Sequence, residues 1–128
     1  MVVTISRTDL ARRTREVMEQ VRSGHTVIVH SYGGDQIVLM DMLDYHLLRA
    51  YAAYTSASQP EGLPDEIWQT LQAYLRGDIS VSRAAEMFGV SRFDLMDRFK
   101  RSGIPLRLGP DSIEEAHEEV ATARQTRL

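Results

Sequence analysis

The apolar positions of this chain follow two rhythms, and the change between them divides it. Short runs rich in Val and Ile come first, at Val2 to Ile5, Thr26 to His30 and Gln36 to Met40, and such runs predict strands. Between the first two, Leu10, Thr14, Val17, Met18 and Val21 recur at helical spacing. This predicts one helix from Arg7 to about Ser23, with Ser6 as N-cap, Asp9 three residues on and Gly24 as its stop. Ser31-Tyr32-Gly33-Gly34-Asp35 is a turn signal that joins the other two runs as a hairpin. Asp41 can cap a second helix, from Met42 to about Tyr54, with Leu43, Leu47, Leu48 and Tyr51 inward.

Beyond that point the strand rhythm stops. Thr55 to Gly62 is small, polar and Pro/Gly-containing, which marks a linker. Pro64 suits the first turn of a helix, with Asp65 and Glu66 near its positive end. Ile67, Trp68, Leu71, Tyr74 and Leu75 form its apolar face, and Arg76-Gly77-Asp78 closes it. Ser80 to Pro105 then reads as two short helices. Ala84 and Ala85 permit close helix contact, Gly89 supplies the turn, Ser91 is a natural N-cap, and Leu95, Met96 and Phe99 recur at helical spacing. That is the shape of a helix-turn-helix, which αα-corners that never touch DNA share. Leu106-Arg107-Leu108 reads as a short strand or an extended segment before Gly109-Pro110, and Ser112 with Glu115 makes a capping box. The final helix, Ile113 to about Thr126, carries few large apolar residues and is marginal alone.

The expected fold class is α+β: a small β-α-β-β-α dimerisation domain, then an all-α domain with a helix-turn-helix-like pair. The expected divisions are 1–54, a linker at 55–63, a helical domain at 64–109 and a terminal helix or tail at 110–128. A domain of about 54 residues buries only about 60% of its unfolded surface. With a Tyr/Leu-rich second helix, self-association is expected.

Composition removes several function classes. The chain has no cysteine, so disulfides and thiolate metal sites are out of reach. No apolar run approaches the ~20 residues that span a bilayer, and no signal-peptide core follows Met1; a cytoplasmic protein without a membrane partner is expected. His25, His30, His46 and His117 have no ligand spacing, and no phosphate loop or nucleophile motif occurs. An enzyme is therefore the weakest reading, and no metal or cofactor is expected. The net charge of −3 is unevenly spread. Residues 76–107 are rich in Arg and Lys, whereas Asp111, Glu114, Glu115, Glu118 and Glu119 make the last segment acidic, a separation that suits separate partners.

Two resemblances add to this reading. The stretch VVTISRTDLARRTREVMEQVRSGHTVIVHSYGGDQIVLMDMLDYHLL resembles the N-terminal domain of Phd/YefM-type antitoxins. The features that carry it are TIS before the helix, V-x-x-G at its end, the IVLM strand, and Asp44-Tyr45 opening the next helix. The resemblance implies a homodimer that binds operator DNA, followed by a segment that neutralises a toxin. The family's basic residue in the first helix falls at Ala11 here, beside Arg12 and Arg13, and that after the second strand falls at Ser31. Further on, Tyr74, Gly77, Ile79, Ser80, Ala84, Ala85, Gly89, Ser91, Gly103, Ile104 and Pro105 resemble a group of small antitoxin-like proteins associated with PIN-type ribonuclease toxins.

The resulting expectation is a type II antitoxin that binds a cognate toxin protein, of the PIN-domain ribonuclease kind, and autoregulates through operator DNA. The alternative is a stand-alone helix-turn-helix regulator without a toxin partner. DNA contacts are expected at Arg7, Arg12 and Arg13, and at Arg92 and Arg98. The second helix of the pair argues both ways, because Asp94 and Asp97 would face phosphates in a groove. Toxin contacts are expected at Phe99, Arg107, Glu114, Glu115, Glu118, Arg124 and Arg127.

Overall fold

The computed structural model describes residues 2–34 and 36–107. Three strands, the first two separated by a pair of short helices, are followed by four more helices among the described residues: β1 (Val2–Ser6), α1 (Arg7–Arg12), α2 (Thr14–Arg22), β2 (Thr26–His30), β3 (Gln36–Leu39), α3 (Met42–Thr55), α4 (Asp65–Arg76), α5 (Val81–Phe88) and α6 (Arg92–Ser102). The described residues form two compact units that divide between Tyr45 and His46, inside α3, upstream of the polar Thr55 to Gly62 stretch.

In the first unit the sheet order is β1-β2-β3. β1 pairs parallel to β2, with Val3 opposite Val27 and Ile5 opposite Val29. β2 pairs antiparallel to β3, with Ile28 opposite Val38 and Val27 opposite Leu39. Parallel neighbours need a crossover, which α1 and α2 supply. The two-residue period places Val27 and Val29 on one face, where they join Val17 and Val21 of α2 in the core, with Ile5, Leu10 and Leu39 packed against it. Each such side chain, fully buried, is worth roughly 1.5–3 kcal/mol.

The single helix expected from Arg7 to Ser23 is broken. Arg13 has φ −125° and ψ 37°, outside the helical region. Thr14 Oγ1 donates to the carbonyl of Leu10 at 2.8 Å and of Ala11 at 3.4 Å, a back-bonding that bends helices. The inward stripe narrows to Leu10, Val17 and Val21. Thr14 and Met18, which a continuous helical wheel turns inward, are exposed. The Ser6 cap does form, its Oγ accepting from the Asp9 amide at 3.1 Å.

Asp41 starts α3 as expected: its Oδ2 accepts from the Leu43 and Asp44 amides at 3.0 and 3.2 Å. The buried stripe of α3, however, runs through Leu47, Ala50 and Ala53, and Leu48 is exposed. The alanines set that stripe, and a wheel drawn through the large residues alone turns it too far. At the far end the polar stretch folds back on its own helix. The Ser58 amide donates to the Ala53 carbonyl at 3.0 Å, and Arg49 Nη2 donates to the Glu61 carbonyl at 2.6 Å.

α4, α5 and α6 build the core of the second unit. Leu71, Tyr74, Val81, Ala84, Ala85, Leu95, Phe99 and Ile104 are buried. The rings of Tyr74 and Phe99 lie 4.9 Å apart at 37°. Ser80 Oγ accepts from the Arg83 amide at 3.0 Å and Ser91 Oγ from the Asp94 amide at 3.1 Å, so both helices of the pair carry side-chain N-caps. Gly89 ends α5 at φ 74°, a left-handed conformation that glycine adopts without a Cβ penalty. The Val90 amide then reaches back to the Ala85 carbonyl at 3.0 Å, which fixes the turn between α5 and α6.

Candidate functional site

Two surfaces present the residues singled out by the sequence. On the first unit, Arg7, Arg12 and Arg13 are all exposed, as are Arg15 and Arg22. Arg7 lines a cavity of about 210 Å³ together with Ser6, Thr8, His30, Ser31 and Tyr32. The cavity sits where β1 and β2 end side by side, Ser6 opposite His30. Hydroxyls, an imidazole and a guanidinium around an open hollow suit a phosphate oxygen better than an apolar group. Asp9, Glu16 and Glu19 are exposed on the same two helices, so the surface is mixed rather than uniformly basic.

On the second unit the outward face of α6 differs from the expected one. Phe93, Asp97, Lys100 and Arg101 are exposed, at a spacing that places them along one side of the helix. Arg98 is not on that side. Its side chain is only 12% exposed and its Nε donates to Asp94 Oδ2 at 3.1 Å. A late apolar residue is usual at this position of a helix-turn-helix. The position does point inward here, and the aliphatic stem of the arginine occupies it while the head reaches a carboxylate. Arg92, at the start of α6, is half-buried.

Two expected partner-contact residues are engaged by the fold itself. Phe99 is fully buried against Tyr74 and offers nothing to a partner. Its spacing fits both the core stripe and an exposed flank, so periodicity alone leaves it free for either role. Phe93, absent from the expected contacts, is 75% exposed, and Met87 near the end of α5 is 52% exposed. The signal for Phe93 is the cap: Ser91 fixes the start of α6, and a wheel anchored there turns Phe93 away from Leu95 and Phe99. Arg107 is bound to the fold. Its Nη2 donates to the Ile79 carbonyl at 2.6 Å, and its guanidinium lies 4.7 Å from the centroid of the Tyr74 ring. Glu114, Glu115, Glu118, Arg124 and Arg127 lie outside the described residues.

Among the described residues, no group of three His, Cys, Asp or Glu side chains is placed to hold a metal ion. None of the described helices is long and apolar enough to cross a membrane.

The fold and these surfaces define a small mixed α+β protein, a three-stranded sheet followed by helices with a capped helix-turn-helix-like pair. A family model described as Uncharacterised protein family (UPF0175) matches residues 59–125, more than half of the chain, and the chain belongs to that family. No curated protein and no solved structure matched it.

Proposed function

We propose that this protein is the antitoxin of a type II toxin–antitoxin pair, and not an enzyme. The N-terminal part, with its Phd/YefM-like sequence, forms a homodimer that holds operator DNA. The helical part and the tail bind the toxin, a ribonuclease of the PIN type. The observation that carries this reading is the order of elements in the first part. The Ser6 cap, the parallel β1–β2 pair and the Asp41-capped α3 stand where the antitoxin-like residues lie. Self-association draws support from apolar surface left open on the sheet: Val2 is 61%, Ile37 59% and Val38 55% exposed. β3 is also an edge strand, and an uncovered apolar edge invites pairing.

Within this reading Arg7, Arg12 and Arg13 hold phosphates at the first unit. The outward face of α6 serves the protein partner, because Asp97 stands in the middle of that face, where a groove would bring phosphates. Phe93 takes the anchoring role expected of Phe99, since exposed aromatics concentrate binding energy at interfaces. The second reading, a stand-alone regulator, is favoured by the capped helix pair around Gly89.

Co-expression with the product of the neighbouring gene separates the two readings. An antitoxin co-purifies with that product and silences its ribonuclease activity; a stand-alone regulator leaves both alone. The DNA half is tested with a duplex carrying the sequence upstream of the gene. Arg12→Glu with Arg13→Glu weakens binding and lowers the slope of log K against log salt by roughly one for each phosphate no longer neutralised. If Lys100→Glu with Arg101→Glu abolishes binding and the first pair is silent, the helix pair reads the DNA.

A further inference from the structure

The segment after α6 crosses back to α4 through one tyrosine and one arginine. Tyr74 is fully buried at its ring, yet its hydroxyl makes two bonds to this segment. It donates to the Pro105 carbonyl at 2.9 Å and accepts from the Arg107 amide at 3.0 Å. The Arg107 guanidinium then covers the same ring and bonds the Ile79 carbonyl, between α4 and α5. Gly77 makes room for it: a Cβ there would lie 3.2 Å from Arg107 Nη1, at a backbone φ of +88°. Thus Tyr74, Gly77, Ile79 and Pro105, residues of the pattern noted in the sequence, serve one purpose together with Arg107.

We propose that Pro105–Arg107 is a latch that opens as a unit while α4, α5 and α6 stay folded. The hinge lies just before it. Ile104 is buried, 3% exposed, and its amide is held by the Phe99 carbonyl at 2.9 Å, so the last firmly anchored residue precedes the strap. Polar contacts hold the strap, among them the two bonds of one hydroxyl, one charge-assisted bond to a carbonyl and one cation–π contact. Pro105 is exposed and Leu106 only half-buried. Segments held by few apolar contacts open locally at lower cost than the global transition. Closed, the latch keeps the Arg107 guanidinium on the protein's own ring and carbonyl. Open, it frees that cation from those partners, and an acidic group on a partner then binds it without competing with the Tyr74 ring and the Ile79 carbonyl, whichever partner that is. The latch therefore depends on the fold of the second unit and not on the antitoxin reading.

Hydrogen exchange resolved to single amides on the full chain tests it. Tyr74→Phe keeps the ring and its packing on Phe99 but removes both hydroxyl bonds. The Arg107 amide should then exchange roughly ten- to a hundredfold faster, while the amides of Leu95, Phe99 and Ile104 keep their rates. Arg107→Gln, which removes the stacked cation and leaves the core untouched, should speed the same amide and spare the same three. An unchanged Arg107 amide in both variants overturns the latch, because the contacts then do not hold the strap. Equal acceleration of all four amides also overturns it, since the strap would then open only with the whole unit.

Discussion

Phe99→Ala destabilises the second unit by about 3–5 kcal/mol, the cost of emptying a buried aromatic site. Phe99 is fully buried and packs on Tyr74, and its carbonyl holds the Ile104 amide in the same small core. A loss of that size takes much of the margin of a small domain, typically about 5–15 kcal/mol in all. Phe93→Ala, by contrast, should leave stability within about 0.5 kcal/mol, because its side chain is mostly in water already. Trp68 is the only tryptophan of the chain and lies in α4, so its fluorescence reports on this unit during urea unfolding. A large fall in the midpoint is expected for Phe99→Ala and almost none for Phe93→Ala. The reverse order would mean that α6 is rotated from the orientation described. The same pair separates stability from binding: if the proposed toxin complex forms, Phe93→Ala should weaken it while the free protein stays as stable as before.

Much of the fold was legible because short-range chemistry decides it. Ser6, Asp41 and Ser91 each accept the amide bonds that an N-cap requires, and Gly77 and Gly89 take the left-handed conformation at the helix ends. The β-branched run around Val27 and Val29 marks a strand by residue type alone. The misreadings have physical causes as well. The break at Arg13 comes from a hydroxyl that prefers the Leu10 carbonyl to solvent, and periodicity is blind to such a bond. Leu48 faces outward because small residues, Ala50 and Ala53, define the buried side of α3. By sequence Arg107 is a candidate partner contact in a short strand or extended segment, whereas two of its contacts come from residues about thirty positions earlier in the chain. Contacts of that range leave no periodic trace. On α6, Phe99 lies on the apolar stripe that the spacing predicts and is buried there, so it is not free for the partner contact expected of it, while Phe93, given no role by the sequence, is the exposed aromatic. The basic residues of the first unit are easier: on short polar helices, arginine positions between acids are exposed almost wherever the helix turns.

In the antitoxin reading proposed above, the neutralising role falls on the chain beyond Gly109, and removing it should give the second large effect. A tail with few large side chains cannot anchor a complex alone, so in that reading the face of α6 around Phe93 would share the docking and the tail would supply the groups that block the toxin's active site. Residues 1–109 keep every described strand and helix, the arginines of the first unit and the face of α6, so dimerisation and operator binding should persist. The direct test is RNA cleavage by the neighbouring gene's ribonuclease, titrated with the full chain and with a chain ending at Gly109. The full chain should silence the enzyme near equimolar ratio, and the shortened chain should need at least about ten times more, a loss of some 1.4 kcal/mol or greater. Inhibition by the shortened chain equal to that of the full chain would contradict the assignment of the tail. A ribonuclease untouched by the full chain would contradict the antitoxin itself.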